Sequence, residues 1–341
     1  SQGPGRVIPG IGIYFSGCSS VFTTDGYRNT ESAQVAAWIA NLSGSEYPDY
    51  DFIEVPGLNS MTNQHELAYH IHADVTNALD EDVGGSDLTA QLIPSGSRAY
   101  ATVITRQDAV LCGTAWFDAC FYSMDRGCRI RWFARDGDPI AAKQVLCEIH
   151  GDARAMLTAE RCGLNFLQTL SATATQTRRY VEAVCGTQAK ILDTRKTLPG
   201  LRVAQKYAVK TGGGYNQRAG LFDGVLIKEN HILAAGGIHP VLEQAYRNTS
   251  EGISIQIEVE NLEQLREALG AGARLILLDN FDLDHMRAAV KLAAGRAELE
   301  ASGGITLKNV RAIAETGVER ISIGSLTKDI QAVDLSMRFR I

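Results

Sequence analysis

The chain has 341 residues, 45% of them hydrophobic, which is enough length and apolar content for two domains with buried cores. A formal net charge of −6 disfavours general nucleic-acid binding, so an anionic ligand must be drawn in by a local cationic cluster. No run approaches the roughly 18 apolar residues of a membrane span, and seven cysteines without a C-x-x-C pair point to reduced thiols, not a disulfide frame or zinc site.

The first sixty residues stand apart. They open SQGPG, contain no methionine before Met61, and lack the cationic start and long apolar stretch of a signal peptide. Residues 1–60 read as an N-terminal extension, either non-native or disordered; the alternative is a native extension with a helix over Glu31–Leu42. From Gln64 onward HELAYHIHADVTNALDEDVG carries a helical pattern and DEDVGGSDLTA a turn. AYATVITRQDAVLCG and CRIRWFARDGDPI then read as strands of a small sheet. Ala155–Leu170 reads as a helix carrying Glu160 and Arg161. An α+β domain over 61–170 thus precedes a second domain starting near Ser171. Two features of this half carry no chemistry on this reading. Cys112, Cys120 and Cys128 are equally spaced core or chance cysteines, and His70 and His72 do not share a helix face.

The second half alternates apolar runs with helical segments, the pattern of parallel strands in βα units. The runs end in charged or phosphate-friendly residues: AKILDTRK at Asp193, Arg195 and Lys196; DGVLIKEN at Lys228; ISIQIEVEN at Glu258 and Glu260; RLILLDN at Asp279; AELEASGG at Ser302, Gly303 and Gly304; RISIGSL at Gly324 and Ser325. Parallel barrels place their sites at the C-terminal ends of the strands, so these groups should converge on one rim suited to a polyanion. Guanidinium forks match carboxylates, whereas lysine is a compact charge suited to phosphate; Glu258 and Asp279 have the oxygen chemistry that Mg2+ prefers. Each residue also has a plain reading: solvated strand-end cations, acids bonded to neighbouring lysines, ordinary glycine turns. Pro199 is placed to open the next helix, on which Arg202, Lys206 and Lys210 recur every four residues as a solvated face. Gly212–Gly214 does not complete a dinucleotide fingerprint.

The run DTRKTLPGLRVAQKYAVKTGGGYNQRAGLFDGVLIKENHI (193–232), followed by IEVENLEQLREALGAGA, LLDNFD, ASGGIT and ISIGSLTKDIQAVDLSMRFR, closely resembles the quinolinate phosphoribosyltransferases, from about Gln64 to the C-terminus. The resemblance implies an incomplete TIM-like α/β barrel over 171–325 with an N-terminal α+β open-faced sandwich domain, onto which the C-terminal segment 326–341 packs back. It implies transfer of phosphoribosyl from phosphoribosyl pyrophosphate (PRPP) to quinolinate with decarboxylation, in NAD biosynthesis, by a cytoplasmic enzyme that uses Mg2+. Lys196, Lys228, Glu258 and Asp279 would be catalytic, the last two holding the metal. Thr194, Arg195, Gln217 and Arg218 would bind quinolinate or its neighbour, and Ser302, Gly303, Gly304, Gly324 and Ser325 the phosphate. Arg161 would cross into the partner's site in a homodimer or larger homo-oligomer. Gln217 departs from the family, which carries histidine between the asparagine and arginine at this point. The rival readings are a related transferase for another pyridine or pyrimidine acid, and a non-catalytic phosphate-binding paralogue.

Overall fold

The computed structural model describes residues 64–340. The extension over 1–60, including the alternative helix Glu31–Leu42, lies outside the described residues.

The first helix, α1 (Gln64–Val83), buries Ala68, Ile71, Val75 and Leu79, spaced three and four apart along one face. A turn leads into β1 (Arg98–Thr105), where Ala99, Ala101, Val103 and Thr105 are buried and the residues between them face outward. After β2 (Ala109–Val110) the chain forms a helix that the sequence did not announce, α2 (Thr114–Met124). Strands β3 (Arg129–Trp132), β4 (Pro139–Ile140) and β5 (Val145–Asp152) follow, and β2 pairs with β4. The main sheet of this half is antiparallel, and its first strand in spatial order comes from the far end of the chain: β12 (Leu335–Arg340), then β1, β5 and β3.

A single helix, α3 (Ala153–Ala183), runs for 31 residues and joins the two halves, continuing well past the predicted end at Leu170. Asp152 caps it, accepting from the Ala155 N–H at 3.0 Å. There is no break because the buried stripe never lapses: Leu164, Leu167 and Leu170 give way to Thr173, Ala174, Thr177 and Tyr180. The buried threonine hydroxyls bond back to carbonyls four residues earlier, so their burial leaves no donor unmet. This helix also explains the glycine run. A Cβ on Gly212 would lie 2.5 Å from the Ala174 carbonyl oxygen, and one on Gly214 would lie 2.7 Å from Thr177 Cγ2. Gly212 and Gly214 therefore permit close packing on α3.

The second half is built from β6 (Lys190–Leu192), α4 (Arg202–Thr211), β7 (Gly224–Ile227), α5 (Glu229–Ala235), α6 (Ile238–Asn248), β8 (Ser254–Val259), α7 (Leu262–Gly270), β9 (Leu275–Asp279), α8 (Leu283–Ala293), β10 (Glu298–Ser302), α9 (Val310–Ala314), β11 (Arg320–Ser322) and α10 (Ser325–Lys328). Its six strands are parallel in the order β6-β11-β10-β9-β8-β7. The sheet curves without closing: β6 and β7 do not pair, and one bridge, Leu192 to Tyr215, begins the missing connection. Ile191, Ile257, Ile276, Leu278, Leu299 and Ile321 form the core beneath the helices. Residues of opposite parity, among them Gln256, Glu258, Asp279, Glu300 and Arg320, share the other face, as the register and the bonds between Gln256, Glu300 and Arg320 require.

Two expectations fail around α4. The helix begins at Arg202, not beside Pro199, because Pro199 and Gly200 form a turn and Leu198 N–H is tied to the Gln205 side chain at 2.8 Å. Nor is the face of Arg202, Lys206 and Lys210 solvated. Arg202 bonds Thr197 and the carbonyls of Arg195 and Ala219, Lys210 lies over the Tyr215 ring, and Lys206 is buried in an ion pair of 2.5 Å with Asp193. The cysteines behave as expected: Cys112, Cys120 and Cys128 are free and buried, and burial raises the Cys128 thiol to about 12.

Burial raises the Asp193 carboxyl from 3.8 to about 6, against the opposing pull of Lys206. The folded state thus binds this proton more tightly than the open chain. The group's stabilising contribution is fully present below the open-chain value and is lost as pH rises through about 6. Lys206→Met removes the nearest opposing charge and raises the carboxyl further. The variant should lose about 3–5 kcal/mol of stability at neutral pH. Urea denaturation should show a larger deficit from wild type at about pH 8 than at about pH 5.

Candidate active site

The cationic part of the rim grows from the ends of β6 and β7. Asp193 follows β6 and is fully buried; the next three residues turn outward, with Thr194 and Arg195 half-buried and Lys196 exposed. Thr194 Oγ1 accepts from the Lys196 N–H at 3.0 Å, and the Lys196 carbonyl accepts from the buried Thr327 hydroxyl at 2.8 Å. The lysine backbone is therefore fixed while its side chain remains available. Gly324 lies against the stem of Lys196, for a Cβ there would stand 2.9 Å from Lys196 Cδ.

The loop from Gly212 to Asp223 covers the open seam beside β6. Gln217 is held on three sides: its N–H donates to Asp193 Oδ1 at 2.9 Å, its carbonyl accepts from Lys206 Nζ at 2.8 Å, and its carboxamide donates to Glu300. Arg218, next in sequence, donates to the Gly224 carbonyl at 2.9 Å. Burial, and then the nearby charge of Arg195, lower the pKa of Arg218. Arg195 Nε is itself buried without a hydrogen-bond partner. An anion between two half-buried guanidinium groups within electrostatic reach of one another would relieve both burial and repulsion.

Across the rim stand the acids. Lys228 follows β7, and its ammonium donates to Glu258 Oε2 at 3.1 Å; the lysine side chain is 52% exposed. Glu258 lies opposite Leu277 in the β8–β9 register and Asp279 two residues further along β9, so the two carboxylates share a face with an offset of one step. Asp279 Oδ2 accepts from Asn280 Nδ2 at 3.0 Å. Direct continuation of the register would set Glu260, not Glu258, beside Asp279, but Glu260 is exposed.

The last two strand ends supply the glycine turns. Ser302 pairs with Asp279, and Gly303 has φ +99° with no room for a Cβ against the Asn280 side chain. Gly304 follows at φ +60°. A turn tied by Asn309 separates this glycine pair from α9, so the expected helix N-terminus does not directly follow it. After β11, α10 does start at once, at Ser325. The structure therefore brings Thr194, Arg195, Lys196, Gln217, Arg218, Lys228, Glu258, Asp279, Ser302, Gly303, Gly304, Gly324 and Ser325 to the strand-end side of one sheet. Arg161 is exposed on α3, and no hydrogen bond or ion pair joins it to these residues among the described residues. Asp193, expected on the rim as a strand-end charge, is instead buried against Lys206. Lys206 and Glu300 were missed as contributors; an acid inside the apolar run AELEAS was the available signal for Glu300.

This is the layout of an α/β-barrel enzyme that binds a polyanion at its strand ends. The chain matches "Quinolinate phosphoribosyl transferase, N-terminal domain" over residues 87–171 and "Quinolinate phosphoribosyl transferase, C-terminal domain" over residues 173–338. The chain belongs to the quinolinate phosphoribosyl transferase family. A "Probable nicotinate-nucleotide pyrophosphorylase [carboxylating]" of Bacillus subtilis (strain 168) is 42% identical over 257 residues, covering 75% of this chain and 89% of that protein. The "Nicotinate-nucleotide pyrophosphorylase [carboxylating]" of Mycobacterium leprae (strain TN) is 40% identical over 273 residues, 77% of this chain and 95% of that one. The solved nicotinate-nucleotide pyrophosphorylase of Francisella tularensis superimposes with a TM-score of 0.78 at 41% identity, covering 83% of this chain and 99% of that one.

Replacing Arg195 or Arg218 with alanine should lower kcat/KM by the equivalent of roughly 2–5 kcal/mol, because a substrate carboxylate then loses its charged partner in a desolvated pocket. Steady-state kinetics of the two variants, with circular dichroism to confirm folding, would measure it.

Proposed function

We propose that this protein transfers the phosphoribosyl group of PRPP to quinolinate with loss of carbon dioxide, giving nicotinate mononucleotide and pyrophosphate. The relatives' pyrophosphorylase names describe the same reaction read from the nucleotide side. The observation that carries the reading is the Arg195–Arg218 pair, two half-buried guanidiniums matched to a substrate with two carboxylates. Thr194 and Gln217 line the same pocket. Lys228, bonded to Glu258, and Lys196, whose stem lies against Gly324, would face the phosphates of PRPP. Ser302, Gly303, Gly304, Gly324 and Ser325 receive the 5-phosphate, whose oxygens can approach a backbone that lacks Cβ atoms at the three glycines.

In the reaction, pyrophosphate leaves the anomeric carbon, the pyridine nitrogen attacks, the C–CO2 bond breaks with its electron pair left on C2 beside the ring cation, and that carbon takes a proton from water. Glu258 and Asp279 stabilise the positive charge that develops on the ribose. The same two carboxylates fit Mg2+, which takes oxygen ligands and keeps several waters; no larger group of His, Cys, Asp and Glu that could hold a metal occurs among the described residues. Bound there with PRPP, the metal would neutralise the departing pyrophosphate. For Glu258 to serve it, the bond to Lys228 must loosen, which frees the lysine for phosphate. Decarboxylation needs no side-chain nucleophile, because the quaternised nitrogen is the electron sink.

The direct test follows quinolinate by ultraviolet absorbance with PRPP and magnesium, with nicotinate as the control. Quinolinate should be consumed, nicotinate should not, and chelating the metal should stop turnover. Equal use of both acids would overturn the assignment of Arg195 and Arg218.

The working unit in this proposal is a cytoplasmic homodimer or larger homo-oligomer in which Arg161 serves the partner's site; among the described residues no helix is long and apolar enough to cross a membrane. Support for the shared site comes from the exposure of Arg161, which no hydrogen bond or ion pair joins to the rim among the described residues. Mixing inactive Arg161→Ala chains with inactive Lys228→Ala chains should restore about a quarter of wild-type activity, since half of randomly paired dimers are hybrids with one intact site. No recovery after confirmed subunit exchange would return Arg161 to its own chain.

A further inference from the structure

Glu300 is a fully buried carboxylate inside the barrel that the reaction above does not use. It sits in the middle of β10, one pleat step below Ser302 on the same face. Three donors converge on it from three other parts of the chain. The Gln217 carboxamide donates to Oε1, while Gln256 Nε2 and Arg320 Nε each donate to Oε2 at 3.0 Å. Of these three partners Gln256 is buried, while Gln217 and Arg320 are half-buried.

A glutamine side chain has one accepting and one donating end, and a carboxylate accepts only. Against Glu300 the Gln217 amide can therefore sit in one orientation, with an N–H inward. Rotated by half a turn, it would set oxygen against oxygen in a site without solvent. The second N–H and the carbonyl oxygen of Gln217 are then fixed in direction, and the main chain of the same residue is already clamped by Asp193 and Lys206. We propose that Glu300 is a positioning residue for the transferase reaction: it sets which edge of the Gln217 carboxamide faces the acid substrate. Gln256 and Arg320 hold Glu300 in place for that purpose, so orientation passes from the barrel interior to the loop that carries Arg218. This inference rests on the reading that Gln217 lines the quinolinate pocket.

The test measures the KM of quinolinate and of PRPP separately for wild type, Glu300→Gln, Gln217→Met and the double variant. Glu300→Gln keeps the shape but offers an amide that can face Gln217 either way round. Each single variant should raise the quinolinate KM about tenfold. The PRPP KM should stay within about twofold, and the double variant should match the singles, since both act through one contact. A quinolinate KM unchanged in either single variant, a parallel rise in both KM values, or multiplying effects in the double variant would overturn the proposal. If Glu300→Gln does not fold, the exchanged pair Gln217→Glu with Glu300→Gln restores a donor and an acceptor across the same contact. A purely structural role predicts recovery of both melting temperature and KM. The positioning role predicts recovery of melting temperature with the quinolinate KM still raised, because the edge presented to the acid is wrong. Wild type run alongside separates the two levels: failure of wild type to consume quinolinate would sink the function itself, whereas normal kinetics in the variants would sink only this inference.

Discussion

The ion pair between Asp193 and Lys206 is the constraint on which the site depends. The sheet of the second half does not close, so something other than strand pairing must hold the loop that covers the seam between β6 and β7. Asp193 does this from the end of β6, taking Lys206 from α4 and the Gln217 N–H from the loop, and Lys206 in turn holds the Gln217 carbonyl. One buried pair thus ties a strand, a helix and a loop. Such a pair is seldom a large net source of stability, because desolvation of the two charges offsets their attraction. Its worth here is geometric, since it leaves Arg218 with a fixed base next to Arg195.

Around that anchor the rim divides its chemistry by strand. The ends of β6 and β7 carry cations, those of β8 and β9 carboxylates, and those of β10 and β11 small residues. The division suits a pair of substrates with an acid at one end and phosphates at the other, with a carbon that becomes positive between them. The Lys228–Glu258 bond spans the border between the first two sectors and pairs their opposite charges.

The strand ends were legible in the sequence because parallel strands buried on their helix side read as short apolar runs, and the residue that stops each run is the one at the rim. Helix α1 and the inward alternation of β1 were equally plain. Helix α2 was not, because Trp116, Phe117, Asp118, Ala119, Cys120 and Phe121 are all buried and a helix covered on every side shows no stripe. Strand β5 was obscured by adjacent buried residues, Leu146 and Cys147, where its register with β1 shifts at Val103 and Ile104. Lys206 looked solvated because four-residue spacing of cations says nothing about what lies opposite, and its partner Asp193 is thirteen residues away in sequence. Glu300 was hidden for the same reason: its donors come from residues 217, 256 and 320, which only the barrel brings together.

The pairing of β12 with β1 has a consequence for how the molecule is made. β1 is an inner strand of the finished sheet, yet one neighbour, β12, consists of the last described residues, and six pairs from Tyr100 with Arg340 to Thr105 with Leu335 join them. During synthesis every other described element emerges before that strand. Until then one side of β1 remains an unpaired edge, with a row of open backbone groups of the kind that recruits other chains. Completion of the first sheet therefore waits for synthesis of Leu335–Arg340, and a ribosome that stalls short of Leu335 leaves β1 with an adhesive flank.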